Sequence, residues 1–452
     1  MDTFADALHR ASEAALAYRA GAAERPVGRP VDPADLAFDG PLPRSGAPAG
    51  EVVDALVAAA EPGLVASVGP RYFGFVTGGS LSAAAAADVL TAAWDQNAFT
   101  TVMSPAAAAA ERTAGRWLLE LLGLPASASV GFVTGAQAAN TVGLAAGRHH
   151  VLAAAGWDVE ADGLACAPPV RIVASAERHA TVDRAARLLG FGRTAVVPVA
   201  TLPDGAIDVV DLGRVLQAGP GPTIVCLQAG NVNTGACDDL RAATARAREH
   251  DAWVHVDGAF GLWAAAAPSL AHLVDGRELA DSWACDGHKW LNVPYDSGFA
   301  MCAHPATHAA ALGYTADYLP GAGGPRPELG DLVPESSRRA RGFAVWAALR
   351  ELGVDGVAEL VGRCHHLARR FADRLAAGGV EIPAPVPLNQ VLAGFGDRTD
   401  EVIAAVQADG TCWAGGTTWR GRRWMRLSVS NATTTEEDVD RSAAAVLRLA
   451  AR

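Results

Sequence analysis

The sequence has no uninterrupted apolar run of the roughly 18 residues that a membrane-spanning helix needs, although half of its 452 residues are hydrophobic. The Ala-rich stretch 81–94 is broken by Asp88 and reads as a buried helix. The opening segment, MDTFADALHRASEAALAYRA, sets acids inside an amphipathic pattern and has no continuous apolar core, so a secretory leader is not expected. Cysteine is sparse and unclustered: Cys166, Cys226, Cys237, Cys285, Cys302, Cys364 and Cys412 include no Cys-x-x-Cys pair. That pattern excludes a disulfide framework or zinc site and fits reduced thiols in a cytoplasmic protein, with no metal expected. Positive charge is short as well. The net charge of −12 argues against nucleic acid and anionic membranes as partners and leaves small substrates open. No internal repeat or low-complexity tract is present.

What the chain does have is length for two or three domains and a regular alternation in its middle. SVGFVTG (129–135), RIVASAE (171–177), TAVVPVA (194–200), PTIVCLQAG (222–230), WVHVDGA, SWACD and GFAMCA (298–303) are short apolar runs separated by helical stretches. They lack strict polar alternation, as strands buried on both faces should. The expectation is an α/β fold with a mostly parallel sheet, in which ligands bind at the carboxyl ends of strands. Residues 1–70 read as an N-terminal helical segment with a Pro-rich connector, 71–320 as the large domain, and 321–452 as a mobile loop followed by a smaller α/β domain. Gly321, Gly323, Gly324, Pro325 and Pro327 mark 319–334 as a lid.

Chemistry-bearing residues fall where these strands end. Asp257 closes VHVDGAFGLW, and Lys289 follows the next strand in DSWACDGHKWLNVPYDSGFAM. An acid and a lysine so placed are what pyridoxal phosphate chemistry requires: the lysine forms a Schiff base and the acid keeps the pyridine nitrogen protonated. Either one alone would be an ordinary strand-end acid or surface lysine. Gly135, Ala136 and Gln137 lie at a strand-to-helix handover, where free N–H groups and small residues suit a phosphate. His179 follows a strand and could stack on a ring or shuttle a proton; a lone histidine there is more often a cap. Thr234 sits in a tight turn. Ala259, two residues after Asp257, leaves room under a flat ring. Arg426, in RGRRWMRL, enters an apolar strand and is a candidate carboxylate ligand, set against a solvated charged face as the plainer option.

The ordered set FVTGAQAAN, SAERHATVDRAARLLG, GNVNTGACDD, HVDGAFG, DGHKWLNVPYDSG and SRRARGFAVWAALRELG closely resembles the group II pyridoxal-phosphate decarboxylases, which act on aromatic amino acids, histidine and glutamate. The resemblance runs from about Pro70 to the C-terminus and implies fold type I. It implies pyridoxal 5'-phosphate as cofactor, Lys289 as the Schiff-base residue, His288 and Gly135–Gln137 at the phosphate with Thr234 nearby, Asp257 on the pyridine nitrogen, and Ala259 and His179 on the two ring faces. It also implies a homodimer with active sites at the subunit interface. YFGFVTGG and WDQNAFT look like the family's substrate-side segment, so Tyr72, Phe73, Trp94, Asn97 and Phe99 are expected to line the substrate pocket.

Two positions depart from the family. Gln137 replaces the usual hydroxyl of the phosphate loop, and Leu332 aligns with the loop tyrosine that protonates the carbanion; Tyr314 and Tyr318 lie earlier. The leading expectation is decarboxylation of an L-amino acid to an amine and CO2. The alternatives are another reaction on the same scaffold (carbon–carbon cleavage, aldehyde formation or carbon–carbon bond formation) and a non-catalytic binding protein. CO2 release separates the first two, and a visible absorption band lost on Lys289 substitution disposes of the third.

Overall fold

The computed structural model describes residues 3–28, 30–314 and 327–452. Seven strands form the central sheet: β1 (Ser129–Val133), β2 (Arg171–Ser175), β3 (Val196–Val199), β4 (Thr223–Gln228), β5 (Trp253–Asp257), β6 (Ser282–Asp286) and β7 (Gly298–Cys302). Their order is β1-β7-β6-β5-β4-β2-β3, and only β7 runs against its neighbours. The mostly parallel sheet expected from the alternation is therefore present.

These strands are apolar at nearly every position because successive side chains enter two different cores. Val173, Val225, Leu227, Val254 and Val256 point into one, while Ile172, Ala174, Ile224, Cys226 and Trp253 point into the other. The helix Ala136–Ala154 follows β1 and packs on the second face. Its Gly143 permits that approach, since a Cβ there would come within 2.4 Å of the His255 ring.

A smaller sheet follows, with β8 (Gln390–Ala393), β9 (Gly415–Trp419) and β10 (Arg422–Ser428) in the order β8-β10-β9, all antiparallel. The helices Thr399–Asp409 and Glu436–Ala450 complete this C-terminal α/β unit. The long helical span Gly342–Ala377 is interrupted at Gly353, whose φ of 62° takes it out of the helical region. At the other end of the chain, Thr3–Gly21 lies against Ala49–Ala60 and has no buried residue. Among the described residues no helix is long and apolar enough to cross a membrane.

The expected lid divides. Tyr318, Gly321, Gly323, Gly324 and Pro325 lie outside the described residues. The remainder, 327–334, is a packed turn in which Leu329, Gly330, Leu332 and Val333 are buried. The Leu332 carbonyl accepts a hydrogen bond from His308 Nε2 at 3.0 Å, and β1 crosses so closely that a Cβ on Gly131 would reach 2.3 Å from that oxygen.

Candidate active site

Parallel strands deliver their carboxyl ends to one edge, and there the residues following β1, β2, β4, β5 and β6 line a cleft of about 430 Å³. Gly135, Ala136, Gln137, His179, Asp257, Ala259, His288, Lys289 and Arg426 all border it.

Asp257 is 5% exposed and held at both oxygens: Oδ1 accepts from the Ala259 N–H at 3.3 Å and Oδ2 from Asn140 Nδ2 at 3.1 Å. His179 caps the helix Ala180–Leu188; its Nδ1 accepts from the Thr181 N–H at 3.3 Å and lies 2.9 Å from Thr181 Oγ1. An accepting Nδ1 puts the proton of the neutral ring on Nε2, the nitrogen left for the cleft. The ring is reachable from solvent through the cleft mouth, yet protein crowds it enough that desolvation lowers its pKa, with Asp257 opposing.

Opposite, β1 hands over to the helix Ala136–Ala154. A Cβ on Gly135 would stand 2.9 Å from His288 Cε1 and 3.2 Å from Asp286 Oδ1, so glycine keeps this corner open. The Ala136 N–H donates to Asp286 Oδ1 at 2.6 Å, and Lys289 Nζ lies 3.0 Å from Asp286 Oδ2. Burial pulls the Lys289 pKa down, but Asp286, with Asp257 and Tyr295 adding to it, outweighs that effect and the net shift is upward. His288 Nδ1 accepts from the Ser297 N–H at 3.1 Å, and its ring stacks on Tyr295 with centroids 4.4 Å apart.

Several expected residues stand elsewhere. Thr234 is buried, its hydroxyl donates to the Asp204 carbonyl at 2.7 Å, and it is not among the residues that border the cleft. Phe73 is a core residue packed edge-on against Phe371, and Tyr72 is stacked on Trp413. Phe75 and Val76, two and three residues beyond Phe73, take the cleft positions instead. They do so through positive φ values of 52° and 59°, a strained conformation for non-glycine residues that alternation along an extended segment does not foresee. Asn97 Oδ1 is occupied by the Phe99 and Arg338 N–H groups, Phe99 packs near Tyr314, and Trp94 lies in an apolar groove beside Phe343. None of these three reaches the cleft of its own chain.

Sequence reading missed Asp286, Thr181 and Asn140, whose importance appears only through contacts. It also passed over a signal in plain view: Lys289 is the only lysine in the chain.

The residues present fit pyridoxal 5'-phosphate. A helix N-terminus with small residues suits the phosphate, a buried acid suits the ring nitrogen, Ala259 leaves room for a flat ring, and Lys289 supplies the one side-chain amine. Asp286 is the exception, a carboxylate already seated on the Ala136 N–H that a phosphate would seek.

Comparison with known proteins agrees. The pyridoxal-dependent decarboxylase conserved domain matches residues 39–391. Tryptophan decarboxylase 1 of Oryza sativa subsp. japonica is 29% identical over 420 residues, covering 88% of this chain and 81% of the relative. A 4-hydroxyphenylacetaldehyde synthase of Rhodiola rosea is 28% identical, covering 84% and 80%. Among solved structures, the Oryza sativa enzyme TDC with PLP and tryptamine superposes with a TM-score of 0.92 at 26% identity, covering 100% of this chain and 98% of that one. The strand-end lysine and acid, the fold type I sheet and the match over most of its length place this chain in the pyridoxal-dependent decarboxylase family, as an enzyme that works with pyridoxal 5'-phosphate.

Proposed function

We propose that the protein removes CO2 from an L-amino acid to leave the amine. The observation that carries this reading is Arg426, half-buried in the same cleft as Lys289 and Asp257. Its side chain donates to the Val232 carbonyl at 3.2 Å, and among the described residues no carboxylate forms an ion pair with it. A guanidinium left without a counter-charge in a cleft is suited to a substrate carboxylate. The cofactor, bound at Lys289, supplies the electron sink for cleavage at Cα. Phe75, Val76, Val232 and Phe260 give the cleft an apolar side that limits water near the reacting carbon. His179, through Nε2, is the proton source for Cα; desolvation lowers its pKa, so proton donation weakens as pH rises.

A second reading, decarboxylation to an aldehyde with oxygen and water consumed and CO2, ammonia and peroxide released, is supported by Leu332. By the family resemblance that residue stands at the loop-tyrosine position; it has no proton to give and is packed under β1. The likeness to an aldehyde synthase points the same way. Turnover in heavy water under air tests both readings. An amine with one deuterium at Cα supports the first, and an aldehyde with stoichiometric peroxide supports the second.

We also propose a cytoplasmic homodimer. Seven unpaired cysteines suit a reducing compartment. Leu16, Val52 and Leu56 on the N-terminal helices, and Val102 and Met103, are exposed apolar side chains that a second copy would cover. Deleting residues 1–40 should give aggregation or cofactor loss; a soluble, active monomer would count against the assembly.

A further inference from the structure

Behind Asp257 the sheet carries a polar line through an otherwise apolar face. Trp253, His255 and Asp257 alternate along β5 and point to the side covered by the helix Ala136–Ala154. Trp253 Nε1 donates to Ser282 Oγ at 3.0 Å, and that oxygen lies 2.8 Å from His255 Nδ1. His255 Nε2 lies 2.8 Å from Asn140 Oδ1. Asn140 Nδ2 then reaches both Asp257 Oδ2 at 3.1 Å and Thr181 Oγ1 at 3.0 Å. Asn140, His255 and Ser282 are fully buried.

One assignment of protons satisfies every group. The Asp257 carboxylate only accepts, so Asn140 turns its nitrogen to it and its oxygen to His255. His255 therefore carries its proton on Nε2, and its Nδ1 accepts from the Ser282 hydroxyl. The second Asn140 N–H goes to Thr181 Oγ1, whose own hydrogen passes to His179 Nδ1, 2.9 Å away. Burial lowers the His255 pKa to about 4, so the arrangement is unchanged over the neutral range. A buried polar line costs stability unless every member is paired, and the opposite face of β5 packs well with Val254 and Val256 alone. Packing therefore does not call for it; the orientation of Asp257 does.

We propose that Asn140, itself fixed by His255 and Ser282, is a positioning residue that sets Asp257 and His179 together. It holds the carboxylate from behind and, through Thr181, fixes which nitrogen of His179 bears the proton. This rests on the reading that Asp257 faces the cofactor's ring nitrogen.

The test uses the holoenzyme and four readouts: kcat, KM, the rate of cofactor release, and the pH midpoint of the cofactor's visible band. Loss of a hydrogen bond to a charged group corresponds to about tenfold to a hundredfold. Asn140→Ala should lower kcat by that factor, keep KM within about twofold, move the midpoint by about one unit and speed cofactor release. His255→Gln, which keeps an N–H near the Nε2 position, should restore most of what His255→Leu loses. Thr181→Val, which preserves shape, should shift kcat and the midpoint in the same direction, and it decides the matter if Asn140→Ala does not fold. Unchanged kcat and midpoint in whichever of these two variants folds would overturn the proposal. Asp257→Asn keeps the two readings apart. If it too is tolerated, the assignment of Asp257 fails; if it abolishes turnover while Asn140→Ala does not, the positioning role alone fails.

Discussion

Lys289 Nζ stands 3.0 Å from Asp286 Oδ2, joining the chain's only lysine to a buried carboxylate that also accepts the Ala136 N–H. The contact opposes cofactor attachment in two ways. It favours the ammonium form of an amine that must be neutral to attack an aldehyde, and it keeps an anion on the Ala136 N–H, where we propose the phosphate binds.

Asp286→Asn should therefore load cofactor faster. The amide oxygen can still accept from Ala136, while the Lys289 pKa loses the strongest of its upward pulls and burial is opposed only by Asp257 and Tyr295. A fall of one pKa unit corresponds to about a tenfold larger neutral fraction. Stopped-flow absorbance of the cofactor-free protein mixed with pyridoxal phosphate at pH 7.5 reads the rate, and a rate equal to wild type would refute the account.

Because no other lysine exists, the attachment site can be mapped by cleavage alone. A lysine-specific protease acting on the denatured chain should give only the fragments 1–289 and 290–452. After borohydride reduction of the holoenzyme, Lys289 becomes a secondary amine and the chain should stay whole. Cleavage that continues after reduction, with the cofactor still covalently held, would place the attachment elsewhere.

Arg426→Gln should raise KM for the amino acid by about tenfold to a hundredfold, the range for a hydrogen bond to a charged group. The visible band of the resting enzyme should not change, because the proposed contact is with substrate. A KM within twofold of wild type would remove Arg426 from the substrate site.

Acid should weaken the fold through two buried imidazoles. His255 and His308 are fully buried, and desolvation lowers each pKa from 6.5 to about 4. Between those values the unfolded chain takes up protons that the folded chain refuses. Stability present above pH 6.5 is thus lost as pH falls toward 4, at about 1.4 kcal/mol per pH unit for each group. His308→Gln should reduce the pH slope of the unfolding free energy between pH 6 and 4.5 by about that amount in urea titrations. Superimposable slopes would show that His308 takes up its proton alike in both states.

The sequence by itself determined the sheet, the cofactor chemistry and the strand ends that carry it. Apolar runs without polar alternation dictate strands buried on both faces, and residues following parallel strands must gather at one edge, so Asp257, Lys289 and Gly135 meet wherever the rest of the chain goes. The tertiary structure decided what surrounds them. Phe75 replaced Phe73 at the cleft through positive backbone angles, and Thr234 spent its hydroxyl on Asp204. Asn140 met His255 across 115 residues of chain. Periodicity fixes which face a side chain takes, because it follows from local backbone geometry. Which donor finds which acceptor depends on how separate elements pack, and only the folded chain brings those elements together.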